Sequence, residues 1–164
     1  MRLEELLGKK RTLIVVKKVD FGVYLGTNEE RVLLPKKQVP RDIEIGDPVE
    51  VFLYKDSSDR LIATTNTPKI TLDELAVLEV ADTVKIGAFL NWGLEKDLLL
   101  PFKEQTSKVK KGDKVLVALY IDKSGRLCAT MKVYPKLLVL SMLLPHQVDL
   151  RHLIRLDLRN QQVS

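Results

Sequence analysis

Short apolar stretches with a two-residue period run along most of this chain and predict β-strands rather than helices. Val49, Val51 and Leu53 alternate with other residues in one such stretch, and residues 12–16 are rich in the β-branched side chains that strands favour. Glycine, proline and aspartate separate the stretches, as expected for turns. Before residue 65 we therefore predict five strands, at residues 12–19, 23–25, 31–34, 49–54 and 60–64.

The strand pattern occurs twice in the sequence, in one order and nearly one register. The matching segments are residues 21–25 and 86–90, 33–35 and 99–101, 45–51 and 111–117, and 59–64 and 125–130. The offset is 65 residues for the first pair and 66 for the others, which one inserted residue explains. Repetition with so long a period indicates two tandem copies of a small domain rather than the stacked units of a solenoid.

The two copies predict an all-β protein built from two small barrels. Each copy has five short strands with a break between the third and the fourth, which is the layout of the OB-fold. We predict two tandem five-stranded OB-fold barrels, at residues 1–67 and 68–134. Residues 135–164 contain nine leucines and no glycine and share no landmark with the copies, so we predict a leucine-rich tail that is helical or disordered.

Composition narrows the function classes without selecting one. Twelve basic and 11 acidic residues give residues 1–67 a net charge of +1, and 11 and nine give residues 68–134 a net charge of +2. Bulk charge therefore does not by itself indicate nucleic acid. The single cysteine, Cys128, fits a reducing compartment. With neither a signal peptide nor an apolar run of about 20 residues, we predict a cytoplasmic protein that does not contact membranes.

The sequence offers little that catalysis requires. Its two histidines, His146 and His152, both lie in the leucine-rich tail. One cysteine cannot form a multi-thiolate metal site, and no glycine-rich loop of the Walker or Rossmann type is present. We therefore predict a protein that is not an enzyme and that needs no cofactor, metal or small-molecule substrate.

Aromatic and basic residues in the first copy predict a surface for single-stranded nucleic acid. Such strands are held by flat rings that stack bases and by cations that follow the phosphates. Phe21 and Tyr24 are the candidate rings, and a β-bulge at Gly22 is expected to turn both outward. The alternative is that the two rings close the end of the barrel. The flanking cations predicted to contact nucleic acid are Lys17, Lys18, Lys36, Lys37 and Arg60.

The second copy repeats this surface less completely. Ile86 stands where the first copy has Phe21, which leaves Phe89 as a candidate ring. Trp92 compensates for the missing aromatic residue at position 86 if it lies on the surface. Strand alternation instead places Trp92 in the core, and both interpretations stay open. The cations of this copy are Lys103, Lys108, Lys110, Lys111 and Arg126, and of these we predict that Lys103 and Arg126 contact nucleic acid.

The repeated motifs resemble the S1-type RNA-binding domain, which has the OB-fold. Residues 21–25, 45–49 and 60–64 follow its order of an aromatic-glycine strand, a Gly-Asp turn and an arginine-led strand. Residues 32–36 and 87–94 resemble more closely the conserved virulence factor B family. Members of that family are bacterial proteins with tandem S1-type domains followed by a winged-helix domain.

The resemblance covers about residues 12–134 and implies binding of single-stranded RNA and post-transcriptional regulation in a bacterium. It places Phe21 and Tyr24 at the stacking positions of the family. Two features depart from the pattern. Pro35 and Pro101 stand near the place where S1-type domains commonly carry a histidine. The family continues into a further S1-type domain and a winged helix that this sequence does not match, as expected of a truncated, frameshifted or degenerate gene product.

Two other functions stay open. Phe52 and Tyr54 share the strand face opposite the valines, so the protein is alternatively an interaction module that docks a partner protein or the other copy through this pair. Single-stranded DNA is the other alternative ligand, because the residues do not distinguish contacts to a 2′-hydroxyl group.

Overall fold

The chain divides into two compact units, Met1–Pro68 and Lys69–Ser164. The computed structural model describes residues 2–133, and the predicted tail at residues 135–164 lies outside the described residues. In the described residues of both units the regular elements are β-strands and short 3-10 turns, which confirms the predicted all-β class. Within the described part of the chain, no helix is long and apolar enough to cross a membrane.

The first unit is a closed five-stranded barrel. Its strands are β1 Lys10–Val19, β2 Gly22–Gly26, β3 Arg31–Pro35, β4 Pro48–Lys55 and β5 Leu61–Thr64. They lie in the order β1-β2-β3-β5-β4, and β1 pairs with β4 to close the circle. Every pair is antiparallel except β3 with β5. The five predicted strands are confirmed, with ends that differ by at most two residues.

The interior of the first barrel is filled by the alternating apolar residues. Val49, Val51 and Leu53 lie in the core with apolar residues of β1, β2 and β3. Ahead of β1, a 3-10 turn at Leu3–Leu6 adds its two terminal leucines to the same core. Because side chains alternate along a strand, the residues between the core positions face away from the interior of the barrel.

The second unit repeats the five strands in the same arrangement. They are β6 Leu75–Val84, β7 Gly87–Asn91, β8 Leu98–Pro101, β9 Lys114–Ile121 and β10 Leu127–Thr130. Their order is β10-β9-β6-β7-β8, which is the order of the first unit opened between its third and fifth strands. In the described residues no ladder joins β8 to β10, although the two strands are neighbours. The sheet is therefore barrel-like, as predicted, without complete closure.

A β-bulge in the first strand of each unit determines which side chains face outward. The pairing of β1 with β2 shifts by one residue between Val15 and Lys17, and that of β6 with β7 shifts between Val80 and Asp82. The predicted bulge at Gly22 is wrong, because Gly22 pairs regularly with both neighbouring strands. An extra residue in one strand reverses the in–out phase of the residues that follow it.

Glycine is needed at position 22 because two backbones approach closely there. Gly22 has a φ of +151°, and a Cβ on it would lie 2.2 Å from the carbonyl oxygen of Leu34 in β3. The second unit repeats the arrangement at Gly87, with a φ of +153° and a distance of 2.2 Å to the Leu100 oxygen. A glycine inside a strand commonly marks such an approach, so the Gly-containing motif is first of all structural.

Candidate nucleic-acid interface

Phe21 and Tyr24 form an aromatic pair on the outside of the first barrel. Their ring centroids are 6.3 Å apart and the ring planes are nearly perpendicular, at 88°. Phe21 lies in the turn before β2 and is 56% exposed, whereas Tyr24 lies within β2 and is half-buried. The core cluster of the barrel contains neither ring. The two rings are therefore surface groups and do not close the barrel.

Arg31 lies against Tyr24, and the sequence pattern did not single it out. Its guanidinium carbon is 4.8 Å from the centroid of the Tyr24 ring, within the range of a cation–π interaction. Tyr24 pairs with Leu33 across β2 and β3, so Arg31 is a diagonal neighbour on the same face. Because Arg31 covers one side of the tyrosine, Phe21 offers the more accessible ring.

Lys17 lies directly opposite Tyr24 in the β1–β2 pair. In a regular strand Lys17 would share the face of Val15, which is completely buried. The bulge between these two residues turns Lys17 outward instead, to the side that carries Tyr24. An irregularity in the backbone thus places a cation beside the aromatic pair.

A 3-10 turn after β3 brings Lys36 to Phe21. The Lys36 N–H donates a hydrogen bond to the Phe21 carbonyl oxygen at 2.9 Å. The turn ends at Gln38, whose side-chain oxygen accepts hydrogen bonds from two threonine hydroxyls at 3.0 and 2.9 Å. Lys36 and Lys37 are both exposed. The surface that results, which we call the Tyr24 face, consists of Lys17, Phe21, Tyr24, Arg31 and Lys36.

Two of the predicted cations are held by carboxylates. Lys18 lies on the other side of β1 from Lys17, and its ammonium nitrogen is 3.4 Å from the carboxylate of Glu44. Arg60 lies in the turn between β4 and β5, where its guanidinium is 3.2 Å from the carboxylate of Asp56. The structure therefore does not join Lys18 to the Tyr24 face, and it shows Arg60 stabilising the hairpin.

Comparison with known proteins identifies the family. The sequence profile of the S1 domain matches residues 7–66 and again residues 74–132, which is one match in each unit. The chain belongs to the S1 domain family. Each unit contains one S1 domain, so the predicted pair of tandem S1-like barrels is confirmed.

Curated relatives support the same family and are longer proteins. The uncharacterized protein YitL of Bacillus subtilis is 37% identical over 129 residues, which cover 74% of this chain and 43% of YitL. Conserved virulence factor B of Staphylococcus haemolyticus is 34% identical over 113 residues, which cover 65% and 38%. The predicted resemblance to conserved virulence factor B is confirmed, and this chain spans less than half the length of either relative.

A solved structure has the same fold. It is a multidomain protein with nucleic acid binding domains from Streptococcus pneumoniae TIGR4, and it superposes with a TM-score of 0.68 at 22% sequence identity. The match covers 83% of this chain and 49% of that protein. At this level of identity the likeness supports the fold of the two S1 domains.

The second S1 domain keeps the backbone of the site but reverses its charges. Phe89 is half-buried and lies opposite Asp82, at the place where the first domain has Lys17. Asp97 comes immediately before β8, at the place of Arg31 in the repeat. Two carboxylates next to the ring repel phosphates. The predicted contact of Phe89 with RNA stays a prediction, and these charges oppose it.

Trp92 lies in the core of the second S1 domain, so its predicted contact with RNA is wrong. The side chain is 2% exposed, and its Nε1–H donates to the carbonyl oxygen of Lys96 at 2.6 Å. A ring enclosed in this way presents no face to a base. Lys103 and Arg126 are both exposed, and their contact with nucleic acid stays a prediction.

Phe102 is an exposed ring that sequence reasoning missed. It follows Pro101 as Lys36 follows Pro35, so the repeat itself carried the signal. The side chain is 57% exposed. Its N–H donates to the carbonyl oxygen of Ile86 at 3.4 Å, as that of Lys36 does to Phe21.

Phe52 and Tyr54 are enclosed rather than open to a partner. The two rings stack with centroids 6.4 Å apart, and the residues are 0% and 9% exposed. Docking of a separate partner protein on this pair is therefore wrong, because neither ring is accessible to one, whereas docking against the other copy stays a prediction.

Acidic residues of the turns have structural roles. The Asp47 carboxylate accepts a hydrogen bond from the Glu44 N–H at 2.9 Å, and Asp113 accepts one from the Lys110 N–H at the same distance. No group of three or more His, Cys, Asp or Glu side chains among residues 2–133 is arranged to hold a metal ion. The expectation that the protein has no cofactor and no catalytic activity stays a prediction.

We expect the second S1 domain to lose stability at alkaline pH. Burial and the nearby Asp122 carboxylate raise the pKa of Cys128 to about 11, and burial with the neighbouring Cys128 raises the pKa of Tyr120 to about 12. The unfolded chain releases these protons at lower pH than the folded domain does. The free energy of unfolding of the second S1 domain should therefore fall as pH rises from about 9 towards 11.

Urea unfolding followed by the fluorescence of Trp92, the one tryptophan in the chain, measures this domain. The variant Cys128→Ala/Tyr120→Phe removes both groups and should show a smaller alkaline decline than the original protein. An equal decline in both proteins would assign the effect to other residues.

Proposed function

We propose that this protein binds single-stranded RNA on the Tyr24 face of its first S1 domain. The observation that carries the proposal is the 56% exposed ring of Phe21, held against Tyr24 with cations around the pair. Lys17 lies opposite Tyr24, Arg31 lies over its ring, and the exposed Lys36 is joined to Phe21 by a hydrogen bond between their backbones. An exposed ring framed by cations is the arrangement that holds a base and its phosphates.

The site is rigid before any ligand arrives, which favours binding. The backbone of Phe21 is fixed by its hydrogen bond with Lys36, and the strand that follows packs against the backbone of β3 at Gly22. Side chains that are already positioned lose less conformational freedom when they bind. The backbone beneath the exposed ring therefore costs little to order when a base stacks on it.

Membership of the S1 family supports nucleic acid as the ligand, and two further parts of the proposal rest on resemblance alone. RNA rather than DNA follows from the likeness to RNA-binding S1-type domains. Post-transcriptional regulation in the bacterial cytoplasm follows from the likeness to conserved virulence factor B. The pneumococcal structure is described as having nucleic acid binding domains, which agrees with the proposal.

Binding of labelled oligonucleotides at increasing salt tests the proposal. Single-stranded RNA should bind more tightly than single-stranded DNA or duplex RNA, and its affinity should fall with salt. The variant Lys17→Glu/Lys36→Glu should bind more weakly. Because each phosphate contact to a single strand contributes about 0.7 to the slope of log affinity against log salt, losing two contacts should lower the slope by about 1.4.

Arg11 provides a matched control. It is exposed and pairs with Val51 near the start of β1, about 20 Å of strand away from Lys17. Arg11→Glu should leave the salt slope nearly unchanged. The proposal is contradicted if no nucleic acid binds, or if the two-lysine variant and the Arg11 variant behave alike. Tighter binding of DNA would replace RNA by DNA as the ligand.

A further inference from the structure

The two S1 domains carry their positive charge in different places. On the strand face around the aromatic residue of β2 or β7, the first domain has Lys17 and Arg31, where the second has Asp82 and Asp97. A chain of phosphates attracted to the first surface is repelled by the second. If the second domain contributes to binding, it must do so elsewhere.

At a groove at the end of each barrel the charges differ in the opposite sense, with acids in the first domain and lysines in the second. The groove lies between the turn that follows the first strand and the segment that follows the third strand. In the first domain its charged lining residues are Lys18, Asp20, Lys36, Asp42 and Glu44, of which Lys36 also belongs to the neighbouring Tyr24 face. Three of these five are acids, and Glu44 neutralises Lys18 by an ion pair at 3.4 Å. The groove of the first domain is therefore unsuited to an anionic ligand.

The corresponding groove of the second domain is basic and contains an exposed ring. Lys85 takes the place of Asp20, Lys108 that of Asp42, and Phe102 that of Lys36. Within the described residues neither Lys85 nor Lys108 forms an ion pair. We call this site the Phe102 groove. It measures about 480 Å³.

The wall of the Phe102 groove is held in place by hydrogen bonds. The Gln105 side-chain amide donates to the Leu100 carbonyl oxygen at 3.2 Å. The carboxylate of Glu104 accepts from the Thr130 hydroxyl at 2.7 Å, which ties the segment after β8 to β10. Phe102, at 57% exposure, is thus an apolar ring on a hydrogen-bonded backbone in a groove that Lys85 and Lys108 also line.

We propose that the Phe102 groove is a second contact site for the single-stranded RNA, with a base stacked on Phe102 and phosphates near Lys85 and Lys108. The inference rests on the proposed function and extends it. The first domain binds through its strand face and the second through the end of its barrel. The two domains share one backbone but differ in their charged residues. The surface suited to anions is therefore the Tyr24 face in the first domain and the Phe102 groove in the second.

The test is RNA binding by the full chain with the groove lysines reversed. Each exposed ion pair contributes modestly to affinity, so Lys85→Glu/Lys108→Glu should bind single-stranded RNA roughly tenfold more weakly. Its salt slope should fall by about 1.4, as expected for two lost phosphate contacts. Ultraviolet cross-linking of bromouridine-labelled RNA to the original protein, followed by mass spectrometry, should recover the peptide that contains Phe102.

Lys123→Glu is the control, because Lys123 is exposed in the β9–β10 turn and does not line the groove. Trp92 fluorescence verifies that each variant of this domain is folded. Should the double reversal unfold the domain, Lys85→Gln/Lys108→Gln replaces it, with a smaller loss of affinity expected.

The outcomes separate the two proposals. If the original protein binds no RNA, both proposals fail. If it binds, and the Tyr24-face variants weaken binding while the Phe102-groove variants match Lys123→Glu, the proposed function stands and the second contact site is overturned. Loss of affinity and of salt slope in the groove variant, with cross-linking at Phe102, supports the second site.

Discussion

Replacing Phe21 and Tyr24 together by alanine is expected to weaken single-stranded RNA binding about thirtyfold or more. Stacking on an aromatic side chain contributes about 1–3 kcal/mol per base. A loss of about 2 kcal/mol corresponds to roughly a thirtyfold change in the dissociation constant. Phe21 supplies the accessible ring, at 56% exposure, and Tyr24 holds Arg31 in position through its ring. The double variant therefore removes a stacking surface and releases a cation.

Single variants divide this effect between the two rings. Phe21→Ala should account for most of the loss, since its ring is largely in solvent and its removal leaves the barrel intact. Tyr24→Phe retains the ring beneath Arg31 and should bind nearly as tightly as the original protein. Fluorescence anisotropy with labelled RNA measures each dissociation constant.

Ile45→Ala is the matched control for removing an exposed apolar side chain. Ile45 is 63% exposed, belongs to the same domain and lies in the turn before β4. Its replacement should leave RNA affinity unchanged. A folded Phe21→Ala/Tyr24→Ala protein with unchanged RNA affinity would remove the stacking hypothesis.

The fold could be predicted because its main determinants are local in sequence. The alternation of Val49, Val51 and Leu53 specifies a strand with one buried face, and the barrel core confirms that face. Repetition of the same landmarks then predicts a second domain without any further argument. The open edge between β8 and β10 was not predictable in this way, since it depends on how strands distant in sequence meet.

The site could be predicted only in part, because it depends on register across strands. The pattern identified Phe21 and Tyr24 but assigned their orientation to a bulge at Gly22. The bulge lies instead in β1, beside Lys17, and Phe21 is exposed because it occupies a turn. Arg31 was missed because its contact with Tyr24 is diagonal between β2 and β3, which no spacing along the chain reveals.

The exchange of charges between the domains illustrates the same limit. Alignment of the repeats shows that Lys17 corresponds to Asp82, which by itself is one substitution among many. The ladders show that both residues lie opposite the aromatic side chain of the next strand. This position opposite the ring is what gives the difference between Lys17 and Asp82 its meaning. It implies that the strand face attracts phosphates in the first domain and repels them in the second.

Replacing Gly22 by alanine is expected to lower the stability of the first S1 domain by about 3 kcal/mol or more. Two costs add. A φ of +151° is a conformation that side chains other than glycine rarely adopt, and the new Cβ would lie 2.2 Å from the Leu34 carbonyl oxygen. That oxygen belongs to the backbone of β3, so relief requires β2 and β3 to separate. Gly87→Ala should do the same to the second domain, through Leu100.

The expected measurement is a shift in the thermal midpoint of the affected domain. In a domain of 60–100 residues each kcal/mol lowers the midpoint by about 4–8 °C, so a loss of 3 kcal/mol lowers it by roughly 12–24 °C. Trp92 fluorescence reports the unfolding of the second domain for Gly87→Ala. Amide hydrogen exchange of first-domain peptides reports that of Gly22→Ala.

Gly46 and Gly112 separate the cost of the backbone conformation from that of the close contact. Both have positive φ angles, +96° and +92°, but no atom lies within 4 Å of a Cβ placed on either. Gly46→Ala and Gly112→Ala should therefore cost only the conformational part, about 1–2 kcal/mol. The difference between Gly22→Ala and Gly46→Ala measures the close approach of β2 to β3, the same approach that fixes the backbone beneath Phe21. If the two variants lose equal stability, the contact contributes nothing, and the rigidity argued for the Tyr24 face has to come from the Lys36 hydrogen bond alone.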